Sequence, residues 1–100
     1  MIRIFADKIG DRCRFLATGH AMAGAEREAV CTGVSALAGA LIFYALQAPD
    51  CHRVRYSMQP GEVFLSCHGL DQGFALVMNG LAAMAEQYPE DLVIERQPHP

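Results

Sequence analysis

Apolar and polar residues alternate at the start of the chain, Ile2 and Ile4 against Arg3, which predicts a strand over residues 1–6. Asp7-Lys8-Ile9-Gly10-Asp11 supplies turn residues, and the alternation returns from Arg12 to Thr18, where Cys13, Phe15 and Ala17 oppose Arg12 and Arg14. An antiparallel hairpin is expected. The period then lengthens. After a small-residue loop at Ala21–Ala25, a helix is predicted from about Glu26 to Gln47, with Glu26 and Glu28 placed to complement its dipole and Pro49 as its stop. Val30, Val34, Leu37, Leu41 and Tyr44 form a stripe at helical spacing that suits a sheet. Ser35, Gly39 and Ile42 lie on another flank, where small residues would admit a helix from this chain or from a second copy.

Cys51–Met58 and Glu62–Cys67 read as two further strands joined by the Gln59-Pro60-Gly61 turn. Alternation puts His52, Val54, Tyr56 and Met58 opposite Arg53, Arg55 and Ser57, and Val63, Leu65 and Cys67 opposite Glu62, Phe64 and Ser66, so each strand is expected to bury one face. Asp71–Tyr88 predicts a second amphipathic helix with Phe74, Val77, Met78, Leu81, Met84 and Tyr88 inward, Gly73 and Gly80 on a face that permits close packing, and Pro89 as its stop. Leu92–Glu95 is a short last strand and Arg96–Pro100 a tail. The order ββαββαβ predicts an α+β fold: a small two-layer domain, an about five-stranded mixed or antiparallel sheet with two helices on one face. The arginines are left the other face.

One hundred residues make a single domain over 1–100, and 52% hydrophobic with 19% charged residues excludes a disordered chain. The uncharged run from Ala29 to Leu46 reaches the lower length limit for a membrane span, but it is rich in Ala and Gly and flanked by strands, so no membrane contact is expected. Two helices with so few charges exceed what one such sheet can hide, which predicts a homodimer built in part on helical surfaces. A net charge of −3 gives no general reason to expect a polyanion partner. The strand arginines Arg3, Arg12, Arg14, Arg53 and Arg55 make either a solvated face or an RNA contact. Met-Ile-Arg-Ile-Phe-Ala-Asp lacks the apolar core and cleavage site of a signal peptide, so a cytoplasmic setting with reduced thiols is expected for Cys13, Cys31, Cys51 and Cys67.

His20 closes the second strand and Cys31 falls in the first turns of the first helix, so the loop between them can bring imidazole and thiol together. A thiol near a helix N-terminus with an imidazolium beside it is favoured as the nucleophilic thiolate. Cys31 would then attack a peptide carbonyl and His20 protonate the leaving amine, with the oxyanion held by backbone N–H groups near Cys31 or in the loop. Gly19, Ala21, Met22 and Gly24 are candidates to grip substrate from that loop, and Glu28 to orient His20, although a first-turn Glu is already explained by the dipole. A buried packing role is the plain alternative for Cys31, and Ser35 is read as a small packing residue. Cys51-His52 and Cys67-His68 offer a zinc ligand set by composition, but neighbours on a strand point to opposite faces, so no metal site and no cofactor is expected.

Gly19-His20-Ala21, the Gly-bearing loop, the acid at Glu28 and Val30-Cys31-Thr32-Gly33-Val34-Ser35-Ala36-Leu37 resemble the two motifs of the ribosomal-processing cysteine protease family, Prp. The resemblance extends to chain size and element order. It implies a bacterial cytoplasmic homodimer that removes a short N-terminal extension from large-subunit ribosomal protein twenty-seven, with His20 and Cys31 at the catalytic positions. The rival readings are a noncatalytic ribosome- or RNA-associated dimeric module, using the arginine face, and a helical interaction subunit without catalysis.

Overall fold

The computed structural model describes residues 1–19 and 25–95, with Ala25, Glu26 and Arg27 described by backbone alone. Its elements are β1 (Ile2–Ile9), β2 (Arg12–Thr18), α1 (Ala25–Gln47), β3 (His52–Gln59), β4 (Glu62–His68), α2 (Asp71–Gln87) and β5 (Leu92–Glu95). The sheet runs β3-β4-β2-β1-β5, with β5 parallel to β1 and every other pair antiparallel. The expected α+β order and mixed five-stranded sheet are therefore present, with both helices against one face.

β1 continues past its alternating stretch to Ile9, because Asp7, Lys8 and Ile9 pair with Arg14, Cys13 and Arg12. Their polar side chains are strand residues because each has a partner: Asp7 accepts from Arg14 Nε at 2.8 Å, and Lys8 is paired with Asp71 at the start of α2. Only Gly10 and Asp11 remain as the turn, and the φ of +61° at Gly10 is the backbone that a II′-type hairpin demands of its first residue. At the other hairpin Pro60 precedes Gly61, whose φ of +79° is that of a type II turn.

Inner-face residues Ile4, Phe15 and Leu65 meet Val30, Leu41 and Leu81 of the helices in one core. Each such side chain, taken out of water, contributes about 1.5–3 kcal/mol before conformational entropy is charged against it. The helices touch through glycines: a Cβ on Gly33 would lie 2.7 Å from Met84 Cε, one on Gly73 3.0 Å from Tyr44 Cδ1, and one on Gly80 3.2 Å from Leu37 Cδ1. Leu37 and Tyr44 therefore serve the second helix rather than the sheet. The Ser35–Gly39 flank, expected to admit a helix, instead faces the sheet edge, with Met58 Cε 3.8 Å from a Cβ placed on Gly39. By length and composition α1 is apolar enough to cross a membrane, and part of it is buried inside this fold.

Two expectations for the sheet fail. β3 has no fully buried face: it is an edge strand, and Tyr56 and Met58 are exposed. Its register with β4 also breaks between His52 and Arg55, with Arg53 at a φ of +55°. One extra residue turns every side chain before it to the other side. His52 thus pairs with His68 on the outer face, opposite the face of Val54, while Cys51 packs against the core. Nor is the outer face an arginine surface throughout. Arg3 is paired with Glu95 and Arg14 with Asp7, and Phe5, Leu16 and Phe64 line a small cavity across its middle.

Candidate active site

Gly19 follows β2 with a φ of +97°, and a Cβ there would lie 2.3 Å from the Met1 carbonyl oxygen, so only glycine fits without moving β1. Its N–H donates to the Gly61 carbonyl at 2.9 Å, tying the exit of β2 to the β3–β4 turn. Beside it Cys31, the seventh residue of α1, is half-buried between Val30 and Val34, which anchor that helix face in the core. The result is a cavity of about 240 Å³. Cys31, Val34 and Ser35 form one wall, Ile2, Ala17 and Gly19 another, and the turn from Gln59 to Val63 the third.

The structure thus brings two of the expected site residues, Cys31 and Gly19, into one cavity. Glu28 is exposed and is not among the cavity's lining residues. His20, Ala21, Met22 and Gly24 lie outside the described residues. Cys31 sits in the second turn, where the dipole has already weakened and its own N–H is spent in the i to i−4 ladder, so its amide is not an oxyanion donor. Ser35, read from sequence as packing, lines the cavity one turn beyond Cys31. Gln59 and Glu62, not singled out from sequence, supply its polar edge. Strand pairing puts them there, since Thr18 stands opposite Glu62, and no local motif announces it.

The other thiols differ in setting. Cys13 donates to the Leu70 carbonyl, and burial pushes its thiol up from the usual range. Burial, with the Cys51 thiol beside it, pushes Cys67 up to about 12. These are packing cysteines, inert as nucleophiles while the fold is intact.

The sequence matches no family model and no curated protein. The fold itself defines a class: a two-layer α+β domain shared along its length with the ribosomal processing protease Prp. Prp from S. aureus, solved with a covalently linked product peptide and with a substrate peptide, is 16% identical at a TM-score of 0.74, covering 97% of this chain and 100% of that one. SMU.848 from Streptococcus mutans is 20% identical at a TM-score of 0.75, covering 99% of both chains. The chain has a Prp-like fold.

Proposed function

We propose that this chain is a cysteine endopeptidase of ribosomal-protein maturation, with Cys31 as nucleophile and His20 as general acid and base. Its substrate in this reading is the N-terminal extension of large-subunit ribosomal protein twenty-seven. One observation carries it: Cys31 opens into a cavity that also holds Gly19, the residue bonded to His20. The likeness to a fold solved with bound peptides supports the same reading. The apolar walls at Ile2, Val34 and Val63 suit a small apolar side chain of a peptide, and Glu62 and Gln59 suit its polar backbone or a neighbouring amine.

The chemistry balances with these groups alone. The Cys31 sulfur bonds to the scissile carbonyl carbon, the C–N bond breaks as His20 gives its proton to the leaving amine, and a thioester remains. Water, deprotonated by His20, then hydrolyses the thioester and returns the thiol. The same reading makes the protein a cytoplasmic homodimer, for which exposed Phe43 and Leu46 on α1 beside Tyr56 and Met58 on β3 supply apolar surface.

The test is cleavage of a peptide spanning the N-terminus of the host ribosomal protein, followed by mass spectrometry. Cys31→Ala and His20→Ala should each lower the rate on the order of a thousandfold or more, with unchanged melting temperature. Cleavage by Cys31→Ala at the wild-type rate would overturn the assignment.

A further inference from the structure

Adjacent strand residues point to opposite faces, and both Cys-His dipeptides obey that rule. The sulfurs of Cys51 and Cys67 go inward, and the imidazoles of His52 and His68 go outward. The sulfurs and the imidazoles of these dipeptides therefore do not converge on one point. The two imidazoles nevertheless meet: their ring centroids are 5.4 Å apart and their planes 25° from parallel. Asp11, from the β1–β2 turn, completes a cluster in which one ligand atom of each residue lies within 4.8 Å of the others.

The tautomers follow from the partners. His68 Nδ1 is 2.9 Å from Asp11 Oδ1, and His52 Nδ1 is 3.3 Å from the Asp50 carbonyl oxygen. The Asp50 carbonyl only accepts, so His52 Nδ1 carries hydrogen and its Nε2 is left to ligate, whereas Asp11 Oδ1 and His68 Nδ1 face each other, and a cation bound between them would take the place of the hydrogen they share. An imidazole whose second nitrogen donates to a carbonyl, as that of His52 does to Asp50, is a usual arrangement of a metal-binding histidine.

Backbone features hold the three residues together. Gly69 donates its N–H to the Asp11 carbonyl at 2.9 Å. A Cβ on Gly69 would lie 2.1 Å from the Asp50 carbonyl oxygen, so this glycine lets the chain entering His52 press against the chain leaving His68. The bulge gives an independent sign. Continued alternation from Arg55 would send His52 to the inner face, and the left-handed backbone at Arg53, costly for a non-glycine residue, is what brings it over His68. Strain of that kind is kept where the surroundings impose it, and here it creates the histidine pair.

We propose that Asp11, His52 and His68 form a binding site for a divalent transition-metal ion of the zinc type, with the remaining coordination open to water or an anion. Metal–nitrogen bonds of 2.0–2.1 Å at a tetrahedral centre put the ligand nitrogens about 3.3 Å apart, which small movements of these side chains reach. Arg12, Arg53 and Arg55 line the groove beside His68. Two imidazole donors favour a zinc-type ion over magnesium and calcium, which take oxygen ligands, and the arginines, which repel any cation, suit an anion as its further ligand. The site clips the edge strand β3 to β4 and to the β1–β2 turn. It stands at the Arg12 end of β2, about 20 Å from the Thr18 end where Cys31 opens, so it does not depend on the peptidase reading.

The experiment is a titration of the full chain with zinc chloride by calorimetry and of the same chain with cobalt chloride by absorption. Cys31→Ala is included to remove that thiol. Wild type and Cys31→Ala should each bind one zinc ion, with cobalt spectra lacking thiolate charge-transfer bands, and magnesium and calcium should not compete. His52→Gln and His68→Gln, both checked for unchanged circular dichroism, should each weaken zinc binding at least tenfold. Absence of zinc binding to wild type, binding unchanged in both glutamine variants, or a thiolate band in the cobalt complex would each overturn the site.

Discussion

Gly19→Ala tests how the site is anchored, and Gly10→Ala is its control. Both glycines have positive φ, but nothing lies within 4 Å of a Cβ on Gly10, whereas a Cβ on Gly19 would meet the Met1 carbonyl oxygen at 2.3 Å. Gly10→Ala should therefore show the backbone cost alone, about 1–2 kcal/mol. Gly19→Ala carries that cost and must also push the start of β1 away by roughly 1 Å, an overpacking penalty of about 1–3 kcal/mol. β1 resists, because the Ile2 N–H donates to the Asp91 carbonyl at 2.8 Å and its strand lies between β2 and β5. The sum, about 2–5 kcal/mol, is a large part of the stability of a domain this size and corresponds to a melting temperature lower by roughly 10–30 °C. Urea unfolding of both variants measures it. Equal losses within about 0.5 kcal/mol would mean that the close approach of Gly19 to Met1 has no energetic consequence.

Other outcomes follow from the core and the thiols. Leu41→Ala, at a side chain 1% exposed, should cost about 2–5 kcal/mol in denaturant unfolding, whereas Phe43→Ala, at 61% exposed, should leave monomer stability nearly unchanged. Phe43→Glu should instead lower the sedimentation mass if α1 forms the dimer contact, and an unchanged mass would remove Phe43 from that interface. The Cys67 thiol stays protonated in the folded chain to about 12, against an ordinary value of 9.0, so the unfolded chain loses its proton first as pH rises. Its contribution is complete below pH 9 and declines by up to about 1.4 kcal/mol per pH unit from there towards 12. Stability measured at about pH 8 and about pH 10 should therefore fall more steeply for wild type than for Cys67→Ala, and parallel losses would refute the assignment. Arg53→Gly should be neutral or stabilising by about 1 kcal/mol, because it relieves the left-handed backbone, while Arg53→Val should destabilise the chain.

The sequence by itself determined the elements and most of their faces. Alternation at Cys13, Phe15 and Ala17, the helical spacing of Val30, Val34 and Leu41, and the Pro60-Gly61 turn are local signals, because side-chain direction repeats with backbone geometry wherever one side of an element is buried. Local signals also found Cys31 and Gly19. Only the tertiary structure decided what those residues face. Pairing of β2 with β4 brings the Gln59–Val63 turn to the cavity wall, and Met58, not a helix, fills the flank beside Gly39. The bulge at Arg53 reverses the faces of Cys51 and His52, an outcome that strict alternation excludes. Contacts between residues distant in sequence depend on register and on one residue of slippage, and a single chain's pattern of apolar and polar positions carries neither.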